Sequence, residues 1–266
     1  MHTQLVVKTH PIVMGARALR LSLHLATGSA LAAFFAPFCS LPRKKTLIQW
    51  WCAKLVTILN IKVSISGDGD IPSSSASTLF VANHISWVDI FALMSHVPLR
   101  FIAKSDIEDW PVLGFLAKQG NVIFIERGKR QEAKRMNAVL REFLQLGENL
   151  CYFPEGTTTD GTTMRPFKGS LLQAAMDVEA TIQPVAIFYP LHNREANIAM
   201  SYSGETTMTE SLKNILSQHA PIVELHFFSP LRTDSVAEAQ DRRKVSEHIY
   251  TQIETHLFGA RSPTDI

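Results

Sequence analysis

The chain has 266 residues, of which 46% are apolar and only 19% are charged, and its formal net charge at pH 7 is +2. That length is sufficient for one α/β domain with an additional segment. The weak net charge, without a run of basic residues interleaved with aromatics, excludes a dedicated nucleic-acid-binding protein. The three cysteines, Cys39, Cys52 and Cys151, show no CxxC or Cys/His spacing, so we predict reduced, buried thiols and no metal site.

The amino-terminal part of the chain contains an apolar segment. Between residues 21 and 38 most residues are apolar, and none is Asp, Glu, Lys or Arg. Because a bilayer span needs about 20 residues, this segment is compatible with a transmembrane helix, a re-entrant helix, or half of a helical hairpin that lies in one leaflet. Arg17 and Arg20 precede it and basic residues 43–45 follow it. Cations at both ends suit a segment whose two ends face the same anionic surface.

A second segment, residues 46–59, also has features of a membrane surface. It carries Trp50 and Trp51 among aliphatic residues, and tryptophan is favoured at the level of the lipid headgroups. A helix that simply packs on the rest of the protein is the alternative. We predict that residues 1–66 form a membrane-associated helical region and that residues 67–266 form the domain that carries the chemistry.

Further along the chain, a Gly/Ser-rich stretch at residues 67–77 is typical of a loop. The clearest helical pattern covers residues 130–146, with apolar residues on one face, and a second amphipathic helix is predicted for residues 235–258. Strands are predicted from β-branched and aromatic runs at residues 61–66, 79–82, 99–103, 121–126, 150–153, 181–189 and 222–228. This alternation predicts an α/β fold: a mixed, mostly parallel sheet covered by helices, with the N-terminal helical segment attached to it.

The residues that carry chemistry follow the strand predicted at 79–82, in the sequence NHISWVD at residues 83–89. On a continuous helix, their separation would place His84 and Asp89 about 140° apart. The two side chains can meet if His84 lies in a strand-to-helix turn and Asp89 in the first helical turn, where open α/β sheets favour sites. The alternative is a structural turn in which Asp89 caps the helix and His84 packs. Ser86 is predicted to cap the helix through its hydroxyl rather than to act as a nucleophile.

A His–Asp contact has a specific chemical use. The carboxylate keeps one imidazole nitrogen protonated and stabilises the imidazolium that forms when the other nitrogen takes a proton. Such a base can deprotonate an alcohol, which then attacks an acyl thioester without a protein nucleophile. The chain contains no GxSxG motif of the kind that carries a nucleophilic serine in hydrolases. Backbone N–H groups at the helix start beyond His84 are predicted to stabilise the oxyanion.

Four sequence blocks resemble those of the glycerolipid acyltransferase family typified by 1-acylglycerol-3-phosphate acyltransferase. They are NHISWVD at residues 83–89, GNVIFIER at residues 120–127, FPEGT at residues 153–157 and QPVA at residues 183–186. Each block alone is weak evidence, but all four occur in the family's order and at its usual spacing. The resemblance implies an O-acyltransferase with no metal or organic cofactor, which moves a fatty acyl group from acyl-CoA or acyl-carrier protein to a lysolipid hydroxyl.

By similarity, His84 is the general base and Asp89 orients it. Arg127, with Gly120 shaping its loop, would bind the acceptor's phosphate, for which a planar guanidinium is well suited. Lys104 resembles a further basic position near the site, with a solvated lysine as the alternative. The resemblance also assigns acceptor binding to Glu155, Gly156 and Thr157 of the third block, and acyl-chain binding or site shape to Pro184 of the fourth.

One position departs from the family pattern. Many members that bind a phosphate have arginine directly after FPEGT, whereas this chain has Thr158. Either Arg165 or Lys168 supplies the cation, or the acceptor lacks a phosphate monoester. The GTTxDG form and the Ser-Trp pair of the first block resemble bacterial lyso-ornithine lipid acyltransferases. Lysophosphatidate is therefore the first expected acceptor, by a narrow margin, and lyso-ornithine lipid the second.

The sequence leaves three other functions open: a lipid hydrolase that uses a serine, a non-catalytic membrane-binding relative, and an acyltransferase for lipid A or another acceptor. The missing GxSxG motif disfavours the first, and the intact His84, Asp89, Arg127 and Glu155 disfavour the second. The expected partners are the lysolipid and acyl thioester substrates, a membrane and, as one of two donors, acyl-carrier protein, with no nucleic acid. The expected location is the cytoplasmic face of a bacterial inner membrane.

Overall fold

A computed structural model describes residues 8–67, 77–120, 122–126, 130–232 and 241–259. In these ranges the α-helices are α1 (Pro11–Ala30), α2 (Leu41–Ile58), α3 (Val88–Met94), α4 (Leu113–Gln119), α5 (Arg130–Gln145), α6 (Leu172–Asp177), α7 (Met208–Leu216) and α8 (Arg242–Phe258). The strands are β1 (Lys62–Gly67), β2 (Thr78–Ala82), β3 (Arg100–Lys104), β4 (Ile123–Ile125), β5 (Leu150–Tyr152), β6 (Thr181–Phe188), β7 (Ile222–Phe227) and β8 (Leu231–Arg232).

The described strands form one sheet in the order β1-β7-β6-β2-β5-β3-β4, with β8 paired to β6. The strands from β6 to β4 are mutually parallel, whereas β7 and β8 run antiparallel to β6, and β1 runs parallel to β7. The predicted α/β class with a mixed, mostly parallel sheet is therefore confirmed. Every predicted strand is present with slightly different bounds, and the short β8 was not predicted.

Side chains of the central strand β2 alternate between two apolar cores, one on each face of the sheet. Phe80 and Ala82 pack with residues of α2, α3 and α7, whereas Leu79 and Val81 pack with residues of α5, α6 and α8. Because helices cover both faces, β2 is buried along its whole length. This explains why its sequence is a continuous apolar run rather than an alternation of apolar and polar residues.

Two predicted elements differ in extent from the observed ones. The helix predicted at residues 130–146 is confirmed as α5, but α8 begins at Arg242, where the Asp241 carboxylate accepts a hydrogen bond from the N–H of Arg243. Residues 235–240 of that predicted helix lie outside the described residues, as do residues 68–76 of the predicted loop.

The two N-terminal segments form a helical hairpin. Helix α1 begins at Pro11 rather than at residue 21, because proline is favoured in the first helical turn. It continues through a π-helical turn at Leu31–Phe35 and a 3₁₀ turn at Ala36–Phe38. Helix α2 likewise begins at Leu41 rather than at residue 46, with Pro42 in its first turn. Strand β1 follows the hairpin and joins the edge of the sheet through β7.

The hairpin is held by an aromatic pair and a glycine, and its other face is apolar. The rings of His24 and Trp51 stack with centroids 4.7 Å apart. A Cβ atom at Gly28 would lie 2.3 Å from Nε1 of Trp51, so this close approach requires glycine. Large exposed apolar side chains cover the opposite face: Ile12, Leu19, Leu23, Phe34 and Phe38. Within the described part of the chain, Pro11–Phe38 is the helix that is long and apolar enough to cross a membrane, by length and composition alone.

Candidate active site

The turn between β2 and α3 brings His84 and Asp89 together. The Nδ1 atom of His84 lies 2.8 Å from Oδ2 of Asp89, which confirms the contact predicted for a strand-to-helix turn. The Asp89 side chain is fully buried. Since a carboxylate can only accept hydrogen bonds, Nδ1 carries the proton and Nε2 is left as the basic nitrogen of the imidazole.

The Asp89 carboxylate is held by three further donors. The backbone N–H groups of Ile85 and Ser86 donate to Oδ2 at 2.8 and 2.9 Å. The hydroxyl of Tyr189 donates to Oδ1 at 2.5 Å. Burial and the neighbouring Asp89 charge raise the pKa of the Tyr189 hydroxyl well above its usual value, so Tyr189 remains a proton donor. The orientation of the carboxylate is therefore fixed from both of its oxygens.

One detail of the predicted turn is wrong, and three N–H groups near the helix start are excluded as oxyanion donors. The buried Ser86 hydroxyl bonds to none of the described residues and does not cap α3. Instead, Asp89 in the first turn of α3 accepts hydrogen bonds from residues that precede the helix, and α3 has no side-chain cap. The N–H groups of Ile85 and Ser86 are occupied by Asp89, and the N–H of Asp89 donates to the Ser86 carbonyl at 3.1 Å. These groups are thus unavailable to stabilise an oxyanion.

An aromatic side chain fixes the plane of the His84 ring. The ring of Phe153 stacks on it with a centroid distance of 3.8 Å and an interplanar angle of 3°. Phe101 in turn packs against Phe153, with their ring centroids 5.7 Å apart. About one-sixth of the His84 side chain, 16%, remains accessible. The imidazole is thus oriented by Asp89 and Phe153, while part of the ring can still be reached by a substrate.

Glu155 supports the same turn from the neighbouring strand. One oxygen accepts the backbone N–H of His84 at 2.8 Å, and the other accepts the backbone N–H of Arg165 at 2.8 Å. Burial raises the pKa of the Glu155 carboxyl to about 7, although these two hydrogen bonds act in the opposite direction. Since both oxygens already have partners, the geometry fits a positioning role for Glu155 better than the predicted contact with the acceptor.

Comparison with known proteins identifies the fold and the family. The chain resembles the solved structure of the 1-acyl-sn-glycerophosphate (LPA) acyltransferase PlsC from Thermotoga maritima, with a TM-score of 0.66 and 18% identity, over 95% of this chain and 100% of that chain. The profile of a family described as Acyltransferase matches residues 62–188. The lyso-ornithine lipid O-acyltransferase of Pseudomonas aeruginosa is 32% identical over 223 residues, which are 84% of this chain and 83% of that protein. The chain belongs to the acyltransferase family.

A second relative carries a different substrate in its name. The 1-acyl-sn-glycerol-3-phosphate acyltransferase of Neisseria gonorrhoeae is 33% identical over 182 residues, which are 68% of this acyltransferase and 70% of that protein. Both relatives and the family confirm the predicted acyltransferase class of enzyme.

Strand order explains how distant blocks of the acyltransferase meet. His84 follows β2, Glu155 follows β5 and Lys104 ends β3, and these strands are neighbours in the sheet. Because the carboxyl ends of parallel strands share one edge, residues far apart in the sequence converge there. Lys104 is exposed at this edge, and its ammonium pairs with Asp106. Arg127 of the second block lies outside the described residues.

The third block forms a turn with a cation beside it. Gly156 has a φ of +76°, a conformation that favours glycine, and a Cβ atom there would lie 3.1 Å from Nζ of Lys168. The backbone N–H of Lys168 donates to the Pro154 carbonyl at 3.0 Å, which fixes Lys168 next to the turn. Thr157 is exposed on the same turn. Both candidate cations lie near the third block: the Lys168 ammonium is beside Gly156, and the Arg165 charge acts on the Glu155 carboxyl.

Two predicted site residues lie elsewhere. Gly120 follows the last turn of α4 and lines a small recess together with Arg100 and Glu148. Arg100 and Glu148 lie at the amino ends of β3 and β5. This recess is therefore at the edge of the sheet opposite to His84. Pro184 is buried inside β6, paired in register with Val81 of β2. The structure therefore gives Pro184 a place within the sheet rather than on an accessible surface.

Sequence reasoning missed Tyr189, Phe153 and Asn83 as parts of the site. The Asn83 amide donates to the Ile187 carbonyl at 2.9 Å and accepts the Ile187 N–H at 2.7 Å, so it continues the pairing of β2 with β6 by one position and fixes the start of the turn. A usable signal existed for Tyr189, since a tyrosine at the end of a buried strand needs a partner for its hydroxyl.

Proposed function

We propose that this acyltransferase transfers a fatty acyl group from acyl-CoA or acyl-carrier protein to the hydroxyl of a lysolipid, with His84 as the general base and Asp89 as its orienting partner. The observation that carries this proposal is the His84–Asp89 contact of 2.8 Å, in which Asp89 is fully buried and held from both oxygens. In this arrangement Nδ1 donates to Asp89, and Nε2 is the nitrogen that can accept the proton of an alcohol.

The reaction is a single displacement in which no enzyme atom is acylated. Nε2 of His84 removes the proton of the lysolipid hydroxyl while the oxygen attacks the thioester carbonyl. The C–O ester bond forms, the C–S bond breaks, and the thiolate leaves and takes up the proton from His84. Asp89 stabilises the imidazolium during this step, and Tyr189 and the N–H groups of Ile85 and Ser86 hold Asp89 in place.

The N-terminal hairpin supports action at a membrane surface. Its outer face exposes Phe34 and Phe38 at 79% and 88% of their area, and such an apolar face suits insertion into the headgroup and acyl boundary. We therefore propose that the helical region before β1 anchors the enzyme, and that the domain that includes β1 acts at the cytoplasmic face of a bacterial inner membrane. Of the three arrangements compatible with the sequence, a hairpin in one leaflet agrees best with two consecutive helices joined by a short turn.

The acceptor proposed first is lyso-ornithine lipid. The Pseudomonas aeruginosa relative with that substrate in its name matches 84% of the chain. Thr158 takes the place of the expected arginine, and its hydroxyl donates to the Tyr202 carbonyl instead of facing a ligand. The cation beside Gly156 is Lys168, whose ammonium is a point charge without the paired geometry by which arginine selects phosphate. The carboxylate of a lipid headgroup would pair with this ammonium as well as a phosphate would.

Lysophosphatidate is the second candidate, because the Neisseria gonorrhoeae relative is 33% identical and its name specifies 1-acyl-sn-glycerol 3-phosphate. The test is acyl transfer by the purified protein from labelled palmitoyl-CoA to each acceptor, with Lys168→Gln and, as a control at the far edge of the sheet, Lys62→Gln. Preferred acylation of lyso-ornithine lipid, weakened only by Lys168→Gln, supports the proposal. Preference for lysophosphatidate selects the second candidate. Release of free fatty acid without acylation of either lipid contradicts the transferase function.

A further inference from the structure

A continuous path of buried polar contacts leads from Asp89 towards the N-terminal hairpin, and it begins at Tyr189. The Tyr189 side chain is 1% exposed, and its hydroxyl donates to Oδ1 of Asp89, the oxygen that does not face His84. Tyr189 follows β6 directly, so its position is set by the chain segment that leaves that strand.

The segment after Tyr189 is fixed by Asn197. The backbone N–H of Asn197 donates to the Tyr189 carbonyl at 2.8 Å. The side-chain amide of Asn197 donates to Oε1 of Gln218 at 2.7 Å, and both side chains are almost completely buried, at 4% and 2% exposed. A buried polar pair is costly when one partner is lost, so Gln218 constrains Asn197 and, through it, Tyr189.

Gln218 is in turn held by Arg17, which lies on α1. The Arg17 guanidinium donates to the backbone carbonyl oxygens of Gln218 at 2.7 Å and His219 at 3.0 Å. It also donates to the Thr9 hydroxyl at 3.2 Å. Arg17 is 7% exposed, although it belongs to the helix with the exposed apolar face. Hydrogen bonds from a charged donor are about twice as strong as neutral ones, so this contact seats α1 on the segment after α7.

We propose that Tyr189 is a positioning residue for Asp89, and that the path Arg17–Gln218–Asn197–Tyr189 couples the seating of α1 to the geometry of the His84–Asp89 pair. The proposal rests on the proposed function and extends it. The anchoring helix then acts on the rate of acyl transfer itself, as well as bringing the enzyme to the lipid. When α1 leaves its seat, Gln218 and Asn197 lose their fixed positions, and Tyr189 no longer orients the carboxylate.

The test compares two charge-removing changes on the same helix. Arg17→Gln removes the contact with Gln218, whereas Arg20→Gln removes a cation that is exposed on α1. Purified full-length proteins are assayed in mixed micelles at saturating lysolipid, with vesicle cosedimentation and thermal unfolding measured on each. We expect Arg17→Gln to lower kcat by roughly 2- to 30-fold, the range typical of coupling between distant residues, with KM and vesicle binding equal to those of Arg20→Gln. Equal kcat values for the two variants would overturn the coupling.

A double-mutant comparison separates the relay from a general structural effect. Tyr189→Phe should lower kcat about tenfold, because a hydrogen bond to a charged group is lost. If Arg17 acts through Tyr189, Arg17→Gln should lower kcat no further in the Tyr189→Phe background. If the losses of kcat in the two single variants multiply in the double variant, the relay is contradicted. Should Arg17→Gln fail to fold, Arg17→Lys is tested by the same criteria, since lysine keeps the charge but not the fork that reaches both carbonyls.

The outcome for the wild-type protein distinguishes the two proposals. If it transfers no acyl group to any lysolipid, the proposed function is wrong and the relay with it. If it is active and Arg17→Gln behaves as Arg20→Gln does, the function stands and the relay alone is wrong.

Discussion

Replacing Asp89 by asparagine removes the charge beside His84 while keeping the shape of the turn. The amide oxygen of asparagine can occupy the place of Oδ2 and still accept the N–H groups of Ile85 and Ser86. The amide nitrogen then faces Tyr189, whose hydroxyl can rotate to accept a hydrogen bond. We therefore expect Asp89→Asn to fold with nearly unchanged circular dichroism.

The expected loss of activity follows from the distance between the two charges. Nδ1 and Oδ2 are 2.8 Å apart, and at this separation an effective dielectric constant of about 20 gives an attraction of about 6 kcal/mol between the imidazolium and the carboxylate. Since every 1.36 kcal/mol corresponds to a tenfold change in rate, the loss of kcat is at most about 10⁴-fold. Water that enters the altered site reduces this figure, so we expect a loss of about 10³-fold.

The assay measures kcat for acyl transfer from labelled palmitoyl-CoA at saturating lysolipid, with Asp177→Asn as a control that removes an exposed carboxylate paired with Arg141. The control should retain wild-type activity. If Asp89→Asn keeps more than about one-tenth of the wild-type kcat while folded, the carboxylate does not stabilise an imidazolium, and the role assigned to Asp89 is refuted.

Two further predictions concern the supports of the site and of the hairpin. The pKa of Glu155 is raised to about 7 from an ordinary 4.5. Between these two pH values the folded protein retains a proton that the unfolded chain has released. The contribution of this group to stability is therefore lost as pH rises from about 4.5 to about 7. Glu155→Gln should remove this contribution, so that urea unfolding shows the variant gaining stability relative to wild type between pH 5 and pH 8, and a constant difference would contradict the raised pKa. Gly28→Val places a side chain against Trp51, where a Cβ already lies 2.3 Å from Nε1, whereas Gly15→Val has open space. Gly28→Val, but not Gly15→Val, should lower the free energy of unfolding, by about 1–3 kcal/mol. Equal melting temperatures for the two variants would show that the helices do not pack as described.

The sequence was sufficient to predict the sheet and the meeting of His84 with Asp89. The strands at the centre of the sheet are buried on both faces, so they appear as short apolar runs whose limits are easy to place. The His84–Asp89 contact depends only on a strand that ends before His84 and a helix that begins before Asp89, and both are local features.

The contacts that support the site could not be predicted, because which residues meet depends on strand order. Tyr189 meets Asp89 across 100 residues, and it does so because β6 lies next to β2 in the sheet. Glu155 bonds to backbone N–H groups, which carry no sequence signal. Gly120 belongs to a block that resembles the family, but it precedes β4 and therefore lies at the amino edge of the sheet. A motif alone does not show at which end of a strand each of its residues lies.

The most direct test of the central claim is the acyl-transfer activity of His84→Ala, beside His248→Ala, which removes an exposed histidine on α8. General-base catalysis typically contributes about 10²- to 10⁴-fold, so His84→Ala should lose at least about 10²-fold in kcat while it remains folded and bound to vesicles, and His248→Ala should match wild type. A folded His84→Ala protein with near-wild-type turnover would contradict the account.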